Sequence, residues 1–352
     1  MTKSQSISVY TRLRRTVGWV LLITIVSVVL ANVFTVVFAK LLVKHGYWQE
    51  SKDWKGLLLE AQTPAPEVVL VGSSRVQNHF NTDYFNRRGH KTFNLGVAGL
   101  MPWEFPSMVQ QAAEVAERTV VISVPAEILF GPRGCPNRWT GSDLMFYARH
   151  APECMQSLSM AQWLQPLPIN AFFRETFTDV HYYPCREGAD RSLLDKLSTA
   201  NVCDDPRGLM LLRYSRRWVA VFDNGDGLIL PDDNPERQSQ VVWRDKRDSP
   251  LQVDVLTFLR DLAEIVRTAG KTPVFIVEAA PLEHLLISHD LEKQTGARTL
   301  YMNEIGFSDE EIADHDHVGA KGNSRLTRLL YEQLFCVPNV IDCLLKSEAP
   351  RP

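Results

Sequence analysis

Apolar and polar positions divide the chain into three regimes. Between Thr16 and Ala39 no residue is charged, and this run is longer than the roughly 20 apolar residues that cross a bilayer as a helix. From residue 67 onward, short β-branched apolar runs alternate with segments of helical period. Glu67–Gly72, Thr92–Gly99, Thr119–Val124 and Thr272–Val277 read as strands. Pro102–Ala116, with Met108, Ala112 and Val115 on one face, reads as a helix, and so does Gln252–Ala269, with Val255, Phe258, Leu259, Leu262 and Val266. Val76–Arg88 is helix or turn, weakened by Asn78, Asn81 and Asp83. Leu282–Thr295 reads as helical, Ser308-Asp309-Glu310-Glu311 as a helix start, and residues 323 to 334 as a closing helix. Between Ile128 and Pro250 the rhythm is lost.

Strands that are apolar throughout suit a parallel sheet covered on both faces. The alternation of strand and helix predicts right-handed βαβ units, hence an α/β fold of three layers, α/β/α. Residues 128–250 are then a long cap-like insertion over the sheet edge. Its aromatics, Trp139, Trp163, Phe172, Phe173, Tyr182, Tyr183 and Trp218, are expected as the core of that cap. Asp223-Asn224-Gly225-Asp226-Gly227 reads as a turn, since its spacing does not complete a calcium loop. The chain divides into a tail (1–15), a transmembrane helix (16–39), a juxtamembrane linker (40–66) and a domain over 67–345. The linker is read as helical to residue 62, with Trp48 and Trp54 at the interface, and as broken by Thr63-Pro64-Ala65-Pro66.

Composition adds little to the fold and more to the compartment. With 45% hydrophobic and 22% charged residues and a formal charge of -3, the chain is ordinary globular protein, and nothing in that balance points to nucleic acid. The uncharged run exceeds the roughly 7–15 residues of a signal-peptide core, so it reads as an uncleaved anchor. Arg12, Arg14 and Arg15 at its N-terminal edge favour the tail inside and the bulk of the chain outside, so the chain is expected as a single-pass protein of the inner (cell) membrane, tail cytoplasmic and main domain periplasmic or otherwise extracytoplasmic. Six cysteines, Cys135, Cys154, Cys185, Cys203, Cys336 and Cys343, are compatible with disulfides there. Sequence neighbours would pair as 135–154, 185–203 and 336–343, although spacing does not fix connectivity.

Candidate chemistry lies at two distant points. Val68-Val69-Leu70-Val71-Gly72-Ser73-Ser74 is a strand delivering a hydroxyl to a turn, and Asp314-x-x-His317 places a carboxylate beside an imidazole. A carboxylate that fixes a histidine's tautomer makes the ring a general base, and the base needs a nucleophile. Loops at the carboxyl ends of parallel strands converge on one rim, so Ser73/Ser74, Gly96, Pro125–Glu127 and Glu278 should gather there. Ser74, His317 and Asp314 are then the candidate catalytic residues, and the backbone N–H groups of Ser74 and Gly96 the candidate oxyanion hole. Arg75 and Glu127 read as ion-pair partners on that rim. Asp314-His315-Asp316-His317 also alternates hard and borderline metal ligands. No second ligand cluster stands at metal spacing, so neither a metal nor a cofactor is expected.

Gly72-Ser73-Ser74, Asn94-Leu95-Gly96 and Asp314-x-x-His317 with Gly322 resemble, in order, conserved blocks of the SGNH/GDSL hydrolase superfamily. The resemblance covers about residues 67–127 and 272–335. It implies the SGNH-like sandwich with flavodoxin-like strand order and the serine, histidine, aspartate and glycine roles just named. Two positions depart from the family pattern: Ser73 stands where an aspartate is usual, and Ser123-Val124-Pro125-Ala126-Glu127 lacks the asparagine of the third block. The anchored layout most resembles members acting in alginate O-acetylation and teichoic-acid D-alanylation. That implies an acyltransferase or esterase moving an O-acetyl group to or from a cell-surface polysaccharide through an acyl-serine. Its partners would be the polysaccharide or acyl donor and a membrane-bound O-acyltransferase. The other class is a non-catalytic subunit of the same fold that binds glycan or assembles with such an enzyme.

Overall fold

The computed structural model describes residues 3–44, 52–100, 104, 106–130, 135, 139, 143–144, 147–148, 152–156, 158–165, 167, 209–214, 217–229, 242–314 and 316–336. Helix α1 (Lys3–Lys44) is one uninterrupted element of 42 residues. Its stretch Arg14–Lys44 is long and apolar enough to span a membrane. Large apolar side chains from Val17 to Phe38 are exposed, whereas Ala39 and Val43 are buried. The last turns of α1 therefore already belong to the globular part of the chain.

That finding corrects the reading of residues 40–66 as a linker. Helix α2 (Lys52–Glu60) buries Trp54, Leu58 and Leu59 in the same cluster as Ala39, Val43, Met108 and Val109. Trp54 is core, not interface; Trp48 lies outside the described residues. The physical reason is the i, i+4 spacing of Trp54 and Leu58, which gives α2 an apolar stripe to bury.

The central sheet contains β1 (Val68–Gly72), β2 (Thr92–Gly96), β3 (Thr119–Val124), β8 (Thr272–Val277) and β10 (Arg298–Tyr301), ordered β10-β8-β3-β1-β2. Every pairing in it is parallel. Counting these five along the chain gives the order 2-1-3-4-5 of doubly wound sheets. Alternate residues of β1 serve two separate cores. Val69 and Val71 pack with α2, α5 (Pro106–Val115) and α8 (Val253–Thr268). Val68 and Leu70 pack on the other face with Val76, Phe80, Phe85, Leu326 and Leu330, from α3 (Ser74–His79), its neighbour α4 (Thr82–Asn86) and α10 (Ala320–Tyr331). An uninterrupted apolar strand is what a sheet with helices on both faces requires.

Between β8 and α10 one expectation fails and one strand was missed. Leu282–Thr295 is not one helix: Glu283–Leu286 is strand β9, parallel to β7 (Val242–Asp245). Only Leu291–Thr295 (α9) is helical, capped by the Asp290 side chain and stopped by Gly296. A short apolar run such as Leu285-Leu286-Ile287 fits either state, and pairing with β7 decides it. Strand β10 was not foreseen because it is only four residues long and begins with arginine.

Within the insertion, the short helices α6 (Glu153–Gln156) and α7 (Met160–Leu164) precede an antiparallel sheet of β4 (Leu209–Tyr214), β5 (Arg217–Phe222) and β6 (Gly227–Ile229). Trp139 is buried against Tyr147, but Trp163 is 48% exposed, so it is not cap core. Phe172, Phe173, Tyr182 and Tyr183, and the Trp218 side chain, lie outside the described residues. Cys135 and Cys154 form a disulfide. Cys336 is also disulfide-bonded, while Cys185, Cys203 and Cys343 lie outside the described residues.

Candidate active site

The elbow after β1 follows from steric necessity. Ser73 caps α3, its side chain accepting the Arg75 N–H. Ser74 is the first helical residue, so its N–H has no acceptor within the helix. Gly96, at the end of β2, packs directly on this elbow. A Cβ there would stand 2.4 Å from the Gln77 nitrogen and 2.9 Å from the Ser73 carbonyl oxygen, so only glycine fits.

The base comes from a tight turn before α10. The backbone N–H groups of Ala313 and Asp314 both donate to the His317 carbonyl, and a bridge between Ile312 and Val318 closes the turn. Asp314 Oδ1 accepts the backbone N–H of Asp316 at 2.8 Å and of His317 at 2.9 Å. The same carboxylate meets His317 Nδ1 at 2.9 and 3.1 Å. His317 Nε2 lies 2.9 Å from Ser74 Oγ. The three predicted side chains thus form one hydrogen-bonded chain, Ser74 to His317 to Asp314. Ser73, by contrast, has its Oγ 3.5 Å from Glu278 Oε1 and serves the rim. His315 lies outside the described residues.

Around this chain stands a polar frame. Glu278, buried at the end of β8, accepts from Ser123 at 2.9 Å and from Arg75 Nη1 at 3.5 Å. Arg75 Nη2 reaches Asp316 Oδ1 at 3.0 Å. Arg75 thereby ties the elbow to the turn that carries His317, the ion-pair role expected of it. The Glu127 side chain is outside the described residues. His79 packs edge-on against His317, with ring centroids 6.0 Å apart, and its Nε2 accepts the Val318 N–H at 3.4 Å. Burial first, then the neighbouring His317 and Arg75 charges, hold its pKa well below 6.5, so the ring is neutral at neutral pH.

The Gly96 N–H does not point freely into the site. It donates to the Asn94 side-chain oxygen at 3.0 Å. The Asn94 amide is itself fixed: its Nδ2 reaches the Val76 carbonyl at 3.0 Å and Asp226 Oδ1 at 3.2 Å. Of the two predicted oxyanion donors, Ser74 N–H has no acceptor in its helix and Gly96 N–H has one in Asn94. Reasoning from sequence missed this knot and the roles of His79, Asn94 and Asp226. The one available signal was the Asp-Asn-Gly-Asp-Gly turn, whose short polar residues suit a buried hydrogen-bonded turn.

Among the described residues, no group of three or more His, Cys, Asp or Glu side chains is arranged to hold a metal. Comparison of the chain with family models, curated proteins and solved structures yields no match.

Proposed function

We propose that this chain is a membrane-anchored, SGNH-like serine acyltransferase or esterase that moves an O-acetyl group to or from a cell-surface polysaccharide. One observation carries the reading: Ser74 Oγ, His317 and Asp314 stand in a hydrogen-bonded line at the carboxyl ends of parallel strands. His317 Nε2 takes the Ser74 proton as Oγ attacks the ester carbonyl, and Asp314 stabilises the imidazolium. The Ser74 N–H faces the oxyanion. Collapse of the tetrahedral intermediate passes the proton from His317 to the leaving alcohol and leaves acyl-Ser74. Water or a sugar hydroxyl, deprotonated by His317, then attacks the acyl-enzyme and releases the serine. In this reading α1 is a single pass of the inner membrane, with the tail cytoplasmic and the domain periplasmic, next to a membrane-bound O-acyltransferase.

A second reading is favoured by a specific observation. With Gly96 N–H bonded to Asn94, one predicted oxyanion donor is occupied, and loss of one such donor costs about 10²–10³ in rate. On that basis the chain is a non-catalytic glycan-binding or assembly subunit. Incubating the full-length protein in detergent with p-nitrophenyl acetate, followed by peptide mass spectrometry, separates the two. An acetyl adduct on the Ser74 peptide, absent in Ser74→Ala, is the expected result. No adduct, together with no labelling by a fluorophosphonate probe, leaves the subunit reading in its place.

A further inference from the structure

Helix α2 carries two buried lysines, Lys52 and Lys55, and burying an ammonium group away from partners is costly. Lys52 pairs with buried Asp143 and with the Glu104 carbonyl at 2.6 Å. Lys55, fully buried, makes contacts of a different kind. Its Nζ donates to the carbonyl of Gly96 and, at 2.9 Å, to the carbonyl of Gly225. Gly96 is the residue that packs on the Ser74 elbow. Gly225 is the middle of the β5–β6 turn of the insertion, at φ 85°, pressed so closely on β2 that a Cβ would stand 1.7 Å from the Asn94 carbonyl oxygen. The next residue, Asp226, grips the Asn94 side chain, and the Asn94 backbone N–H donates to the Asn224 carbonyl at 2.9 Å.

The Gly96–Val97 peptide is therefore held at both ends. Its carbonyl meets Lys55, and its N–H donates to the Gly72 carbonyl at 3.0 Å, one residue before Ser73. We propose that Lys55 is a positioning residue for Ser74: its amino group clips the Gly96 turn to the Gly225 turn and so fixes the wall against which the elbow packs. The inference rests on the acyl-Ser74 reading and extends it. It makes α2, which packs on the end of the anchor helix, a mechanical part of the reaction centre.

The test uses full-length protein in detergent and compares Lys55→Met, Lys55→Arg and Lys52→Met. Lys52→Met is the structural control, since it also loses a buried lysine from α2 but touches neither turn. Readouts are kcat and KM for Ser74 acylation by p-nitrophenyl acetate, thermal midpoint, and hydrogen exchange at 94–98 and 224–226. The expected result is that Lys55→Met loses about 10²-fold in kcat, the scale of a misplacement of about 1 Å, with KM little changed and exchange accelerated in both turns. Lys55→Arg, which keeps a donor, recovers part of the loss. Lys52→Met lowers the midpoint and leaves kcat near that of the unmodified protein. Equal kcat in Lys55→Met and the unmodified protein overturns the inference while leaving the acyl-serine reading intact, as does an equal kcat loss in Lys52→Met. If the unmodified protein itself does not acylate, the acyl-serine reading fails. The clip is then judged by hydrogen exchange alone, and unchanged exchange at 94–98 in Lys55→Met overturns it. Should Lys55→Met not fold, Lys55→Gln, whose shorter side chain cannot reach both carbonyls, replaces it against Lys52→Met, and a kcat equal to the unmodified protein with unchanged exchange at both turns overturns the inference.

Discussion

The two sides of the Ser74 elbow are built on opposite plans. On the His317 side the working groups lie within four residues, Asp314 to His317, and their side chains are partly open, 12% and 18% exposed. On the Gly96 side the groups come from α2, β2 and the insertion, residues 55, 94 and 226, and all are buried. The first plan leaves an imidazole partly open to solvent. The second leaves a wall that does not give, since interiors pack densely and transmit small displacements. Substitutions on the two sides should therefore be distinguishable by what they change.

The largest effect belongs to the open side. Ser74→Ala and His317→Ala should each lower acyl transfer by at least about 10³-fold without loss of the folded domain, and Asp314→Asn by a smaller factor. Ser73→Ala should cost much less, because its hydroxyl faces Glu278. Kinetics and thermal melts of these variants check the ranking. Retention of activity in Ser74→Ala with its loss in Ser73→Ala would move the nucleophile by one residue.

For Asp226 on the buried side the effect should be on stability first. Asp226 accepts from the Thr82 backbone and hydroxyl and from the Asn224 and Asn94 amides. Asp226→Ala strands those donors and should destabilise by about 3 kcal/mol, read as a lower urea midpoint. A midpoint within error of the unmodified protein would show that the insertion turn does not brace β2.

The smallest effect concerns pH. His79 is held neutral in the fold, whereas in the unfolded chain it binds a proton near its ordinary pKa of about 6.5. As pH falls below that value the unfolded state gains protons and the native state does not, so stability declines with acid until the depressed folded pKa is reached. His79→Gln should melt with a shallower dependence between about pH 7 and 5. Parallel slopes for the two proteins would mean that His79 titrates normally in the fold.

The same contrast explains what was legible in the sequence. The Asp314-x-x-His317 spacing is a local pattern, and the strands β1, β3 and β8 are built on runs of three or more apolar residues, so both could be read directly. The wall could not. Lys55 sits in a stretch that looks like a polar juxtamembrane segment, and nothing local says that its amino group is buried under Gly96. Asp226 lies in a sequence that any surface turn would use. β9 and β10 are four-residue strands whose state depends on partners far along the chain. The assignment of Gly96 N–H to the oxyanion hole failed to foresee the Asn94 side chain two residues earlier, because which way an amide points depends on its neighbours in space.

Ser74 and His317 are separated by 243 residues, and that gap has a consequence in time. At a synthesis rate of about 5–20 residues per second, the elbow leaves the ribosome about 12–50 s before His317 is made. Throughout that interval the Ser74 hydroxyl lacks the imidazole that it meets in the folded chain. On the acyl-serine reading, Ser74 gains its base only when the turn before α10 docks on the elbow, so an incomplete chain should not acylate.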